Sequence, residues 1–285
     1  MRISIKKPTD FDLLECVQAH GWRRLRPFRW VDETQTLERI EEFNPGETTL
    51  LRITTAGDRL DVDVDAAVSE PQVVRRVDTM LQLDIAIDRF HEFCRQHPVL
   101  ADIPTRRQGR LLRCPTLFED VCKVIATTNT TWSQTIGMST RLVENFGTGG
   151  IAFPRPEQIA SVTLDDFAAL AKMGYRNAAV HKISTDIADG QLDLETLRDP
   201  ALTSADIYKR LLTLPGIGPY AASCLMIYLG HYDRVNVDSW ARMMVGKELG
   251  RAVVDKEVHA FFEPYGEWKA LVYHFYPWQE AGPAV

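Results

Sequence analysis

Asp238 opens a helical stretch shortly after a Leu214-Pro215-Gly216-Ile217-Gly218 turn that joins two apolar helical runs. Glycines in such a turn reach backbone angles closed to other residues and let an anion come close to the chain. Pro219 suits the first position of the second helix, where its missing N–H costs nothing. The free N–H groups and positive dipole end of that helix then face outward, and a nucleic-acid phosphate fits them. Ile217 is placed to plug the turn into its helix pair. Asp238 adds a carboxylate, able to steady a developing positive charge or activate water. Plainer readings stand beside these. Pro and Gly punctuate any helix–helix turn, and Asp is favoured as an N-cap. Asp233 is the rival acid and reads as a turn residue. Tyr220 and Cys224 lie one helical turn apart, on one face of the second helix.

Composition bounds what these residues can belong to. The 285 residues suffice for one large or two modest domains. Apolar content of 45% and charged content of 25% are those of a soluble globular protein. No run approaches the roughly twenty apolar residues of a membrane span, and the N-terminus lacks the apolar core of a secretory signal. An intracellular, non-membrane location is therefore expected. Cys16, Cys94, Cys114, Cys122 and Cys224 are scattered, with no CxxC or Cys/His cluster. Reduced thiols are expected, without structural zinc or an iron–sulfur cluster. The net charge of −6 argues against a surface coated in basic residues. Local positive charge gathers at Arg23, Arg24, Arg26 and Arg29, at Arg75-Arg76, and at Arg106, Arg107, Arg110 and Arg113. Each cluster reads either as solvated surface or as a phosphate contact.

Two kinds of element must position the site. Residues 1 to about 70 alternate like strands. RLDVDVD interleaves apolar and acidic residues, Ala56-Gly57-Asp58 is a hairpin turn, and Thr36 to Phe43 is an earlier strand. From Glu70 the period becomes helical, with helices expected over 71–81, 84–97, 116–131, 132–146, 163–172, 177–187, 204–212, 238–249, 255–262 and 268–276. The expected fold is mostly α with an N-terminal α+β part. An antiparallel-sheet domain with connecting helices spans residues 1–112, and an all-helical domain spans 113–285, with the helix-hairpin-helix at 205–229.

With the hairpin, Asn236-Val237-Asp238-Ser239-Trp240, Phe28-Arg29-Trp30, the Thr127-Thr128-Asn129 run and Gly174-Tyr175-Arg176, the chain resembles the helix-hairpin-helix (HhH-GPD) DNA glycosylases. The likeness is to the branch of 8-oxoguanine glycosylase and 3-methyladenine glycosylase II, and it covers nearly the whole chain. It implies base flipping and hydrolysis of the N-glycosidic bond of a damaged, alkylated or oxidised purine in duplex DNA. It makes Asp238 the catalytic carboxylate. Strand-cleaving members carry a Schiff-base lysine where this chain has Tyr220, so the resemblance implies a monofunctional enzyme that leaves an abasic site. It also implies a base pocket of Tyr220, Cys224 and His274, near Trp268, Tyr273 and Phe275. DNA contacts fall to Leu214, Gly216, Ile217, Gly218 and Trp240. Asn129 and Tyr175 would fill the gap left by the flipped nucleotide, and Arg176 would read the opposite base. Gln134 departs from the pattern, standing where that branch has a second reading Arg. The Leu214 and Ile217 carbonyls could hold a structural monovalent cation, and no other cofactor is implied. The partner is damaged double-stranded DNA and the protein a monomer. Two alternatives remain open: a catalytically silent DNA-structure binder, and a strand-cleaving lyase using Lys123 or Lys182.

Overall fold

The computed structural model describes residues 1–65 and 68–278. Five antiparallel strands form one sheet in the order β1-β5-β4-β3-β2, with β1 Arg2–Lys6, β2 Phe28–Val31, β3 Thr36–Asn44, β4 Glu47–Ala56 and β5 Arg59–Val64. The alternation read from RLDVDVD is realised: Leu60, Val62 and Val64 are buried, while Asp61 and Asp63 face outward. One face of the sheet is therefore wet and the other packs on the helices.

That packing carries a buried ionic cluster. Arg39 on β3 holds the Glu119 carboxylate through two hydrogen bonds of 3.0 and 2.6 Å, and Lys123 pairs with the same carboxylate at 2.7 Å. All three side chains are almost wholly buried. Burial pushes the Glu119 carboxyl up, but Arg39 and Lys123 outweigh it and hold it at about 2. Charges taken out of water this way are tolerable only as a complete set.

The remainder is helical, and the bounds follow local chemistry. Thr116, Thr131, Thr163, Thr203 and Asp238 each cap a helix by accepting a backbone N–H. The helix expected from residue 84 starts instead at Asp88 and ends at Arg95. Gln82, left-handed at φ 55°, ends the preceding Glu70–Leu81 helix, and a bend intervenes. Buried side chains form two clusters. One runs from the sheet through the Leu117–Thr127 helix to the hairpin, and the other joins Phe90, Leu100 and Leu111 to the C-terminal helices. Residues from both sides of position 112 share each cluster.

Of the four arginines before Cys114, Arg106 and Arg107 are exposed, with Arg106 paired to Glu15 at 3.0 Å, whereas the other two are taken up by the fold. Arg110 is buried and donates to the carbonyls of Gln82, Asp10 and Ile85 at 2.9–3.0 Å. Arg113 is buried and donates to the carbonyls of Thr79 and Tyr228. Both cations tie chain segments together. Arg26 and Arg29 pair with Glu144 and Glu38 on the surface. No helix of the described residues is long and apolar enough to cross a membrane.

Candidate active site

The hairpin packs Ser204–Leu211 against Pro219–Tyr228. Leu214 and Ile217 turn inward and are buried, while Gly216, Gly218 and Pro219 face solvent. Gly216 needs to be glycine twice over. Its φ is +74°, and a Cβ there would lie 2.7 Å from Ala179 Cβ on the neighbouring helix. Gly218 differs from expectation. Its φ of −97° is open to any residue, and a Cβ would meet nothing within 4 Å. What its lack of a side chain supplies is clearance over the helix start, where free N–H groups attract an anion. The Leu214 carbonyl accepts the Ile217 N–H at 3.2 Å, so one of its lone pairs belongs to the turn. A monovalent cation there would use the other and would take no part in bond breaking.

Asp238 caps the Ser239–Leu249 helix, with Oδ1 accepting the Ala241 N–H at 2.8 Å. Burial raises its pKa above the usual carboxylate value, and the N–H groups of Ala241 and Trp240 and the charge of Arg242 offset this only in part. The rival Asp233 accepts from Ser204 Oγ at 2.5 Å, bracing the hairpin's first helix.

Asp238, Tyr220, Cys224, His274 and Trp240 come together on one cavity of about 310 Å³. Trp240 therefore stands in the cavity wall rather than over the hairpin, packed edge-on against Tyr273 and Trp278. Cys224 and burial push the Tyr220 phenol up, and burial pushes the Cys224 thiol up to about 12, so both stay protonated at neutral pH. Desolvation holds the His274 imidazole at about 4. Sequence reasoning missed the opposite walls: His20, Gly21, Trp22, Trp132 and Asn236. Trp22 is fixed by its Nε1–H to the buried Asp120 carboxylate at 2.8 Å. Burial, then the neighbouring His274, lowers His20 to about 3. Among the described residues, Asp238 thus contributes the one carboxyl group to a wall made mostly of aromatic rings and neutral polar groups.

The cavity borders a surface groove of about 610 Å³ lined by Gly216, Gly218, Asn129, Tyr175 and Arg242; Thr127, Thr130, Tyr220 and Asp238 line both. Asn129 follows the C-cap of the Leu117–Thr127 helix in a left-handed conformation, φ 45°, which Asn tolerates better than most residues. Tyr175 projects from the neighbouring turn, 67% exposed, and its hydroxyl accepts from Asn129 Nδ2 at 3.3 Å. The two residues expected to fill the gap are therefore side by side at the groove.

Arg176 is largely engaged by its own chain. It is 8% exposed, and its guanidinium donates to Thr128 Oγ1 (3.2 Å) and to the carbonyls of Met173 (3.2 Å), Asn129 (3.3 Å) and Thr128. These four bonds leave one of its five N–H donors. The residue braces the Asn129 loop. Gln134 is engaged as well, closing a capping box with Thr131. Of the two candidate lyase lysines, Lys123 lies in the buried ion cluster and Lys182 pairs with Asp186. No group of three or more His, Cys, Asp or Glu that could hold a metal occurs among the described residues.

Residues 122–271, more than half of the chain, match the family model of the HhH-GPD superfamily base excision DNA repair proteins. No curated protein sequence matches. Several solved structures share the fold. MBOgg1 in complex with a low-affinity DNA ligand superposes with a TM-score of 0.76 at 20% identity, over 96% of this chain and 94% of that one. The apo 8-oxoguanine glycosylase/lyase of Clostridium acetobutylicum gives 0.74 at 17% identity, over 96% and 94%. The 3-methyladenine DNA glycosylase of Archaeoglobus fulgidus gives 0.73 at 16% identity, over 97% of both chains.

Proposed function

The chain belongs to the HhH-GPD superfamily of base excision DNA repair proteins, and from that premise we propose that it is a monofunctional DNA glycosylase acting on a damaged purine, alkylated or oxidised, in duplex DNA. The observation that carries this reading is the position of Asp238. It stands where a cavity rich in aromatic walls meets the groove that bears the hairpin glycines, with a phenol and no amine beside it.

The steps follow from the geometry. A phosphate seats over Gly218 against the helix N–H groups. The nucleotide rotates out of the stack, and Asn129 and Tyr175 occupy the space it leaves. The base enters the aromatic cavity, which excludes water and strengthens local electrostatics. As the glycosidic bond stretches, its electron pair leaves with the base and the sugar becomes cationic. Asp238, already partly desolvated, stabilises that charge. A water oxygen bonds to the anomeric carbon, and its proton passes to the carboxylate and from there to the departing base, or to solvent where a cationic alkylated base leaves neutral; free base, an abasic site and the ionised carboxylate result. Tyr220 cannot form a Schiff base, and Lys123 is locked in an ion cluster, so strand scission is not expected.

MBOgg1 is bound to DNA in its solved structure, and double-stranded DNA is the partner inferred here, engaged by a monomer inside the cell. The test is a panel of duplexes carrying alkylated and oxidised purines, scored separately for released base and for strand breaks. Base release without breaks supports the proposal. Borohydride trapping of a covalent protein–DNA adduct would overturn the monofunctional part, and DNA binding with no base release from any lesion would point to a silent structure binder.

A further inference from the structure

We propose that Asn236, together with the Trp132 indole N–H, reads the flipped base and decides which lesion is accepted; this rests on the glycosylase reading of the same cavity. Asn236 lines the cavity in the segment leading to Asp238, is 7% exposed, and its Oδ1 has no hydrogen-bond partner among the described residues. Trp132 lines the same cavity, and its Nε1–H is also buried without a partner there. Native proteins pair nearly all buried polar atoms, because an orphan keeps the full desolvation cost. Here the orphan acceptor and the orphan donor belong to two residues that line one cavity.

Several polar groups of the wall are already engaged. Thr135 Oγ1 donates to the Ala126 carbonyl, Thr127 Oγ1 to the Val124 carbonyl, and His20 uses both ring nitrogens on Leu112 O and Trp22 N. The Trp132 ring is held close against Gly21, where a Cβ would meet it at 2.4 Å, so its N–H is fixed in direction. An acceptor at Asn236 and a donor at Trp132 complement a purine edge that carries an N–H beside a carbonyl or ring nitrogen. A base lacking any N–H leaves Asn236 Oδ1 orphaned in the complex and is rejected. Sites built to satisfy a substrate N–H discriminate strongly against analogues without it.

The test uses duplexes containing non-cleavable 2′-fluoro nucleotides of hypoxanthine, 8-oxoguanine or unsubstituted purine, the last having no N–H. Wild-type protein should bind a hypoxanthine or 8-oxoguanine duplex about 10–100-fold tighter than the purine duplex. Asn236→Leu, which removes the orphan at similar volume, should collapse that ratio while melting no lower than wild type. Replacing Trp132 by β-(3-benzothienyl)alanine keeps a bicyclic ring of nearly the same shape, exchanges only the N–H for sulfur, and should cut the ratio several-fold; it serves as the test if Asn236→Leu does not fold. A wild-type protein that binds the three duplexes alike, or variants that keep the full ratio, would overturn the proposal. Intact discrimination without base release from any cleavable lesion would instead overturn the glycosylase reading and leave the assignment of Asn236 standing.

Discussion

Replacing Asp238 by Asn and by Ala separates chemistry from capping. The carboxylate caps the Ser239–Leu249 helix through the 2.8 Å bond from the Ala241 N–H, and Asn caps about as well as Asp whereas Ala does not. Asp238→Asn should therefore keep the fold, and should add stability, because burial already raises the pKa of this carboxyl and disfavours its charge. Asp238→Ala should lose about 1 kcal/mol and melt about 2–4 °C lower. For the reaction, a carboxylate about 4 Å from a unit positive charge, at the effective permittivity of about 20 suited to a half-buried site, contributes about 4 kcal/mol. That is close to a 10³-fold change in rate. Both variants should thus lose about three decades in single-turnover base release while binding abasic duplex as wild type does, and only Ala should lose stability. Wild-type base release by Asp238→Asn, or rate losses that track melting temperature across the pair, would refute the argument and reduce Asp238 to a cap.

The hairpin glycines should respond oppositely to Ala. Gly216→Ala combines a left-handed backbone penalty of about 1–2 kcal/mol with overpacking of about 1–3 kcal/mol against Ala179, which thermal melts would show. Gly218→Ala should melt as wild type but bind abasic duplex more weakly, and titrations at two salt concentrations should show a shallower salt slope as phosphate contact is lost. Rate against pH should be flat near neutrality and fall as acid titrates the raised Asp238 carboxyl. It should lack a histidine step near 6.5, since His20 and His274 sit at about 3 and 4. Stability should also decline on acidification. The unfolded chain binds protons that the two buried imidazoles refuse, so stability is lost from about pH 6.5 toward 4, at about 1.4 kcal/mol per pH unit for each. Glu119, held at about 2, adds a further loss from about pH 4.5 downward. Denaturant midpoints across this range would contradict the account if they stayed constant.

Much of this was legible in the residues. Alternation in RLDVDVD and the helical period from Glu70 onward placed strands and helices within a few residues, because periodicity is local. The hairpin, Asp238, Tyr220, Cys224 and His274 were legible as candidates through a motif whose order survives in the chain. What stayed hidden was partner choice across long separations. Arg110, Arg113 and Arg176 looked like free cations, yet each ends on backbone carbonyls from distant segments. Gly218 looked like a conformational requirement, yet its φ of −97° is open to any residue. Trp22 and Trp132 carry no spacing signal, since only the folded chain brings them to one cavity with Asn236 and Asp238.

That cavity draws on both ends of the chain: His20 and Trp22 face it from before the second strand, and Tyr273 and His274 from the last described helix. Its closure must therefore await nearly the whole polypeptide, and such long-range contacts form late and slowly. A chain cut short before the final helices would therefore lack part of the wall around Asp238.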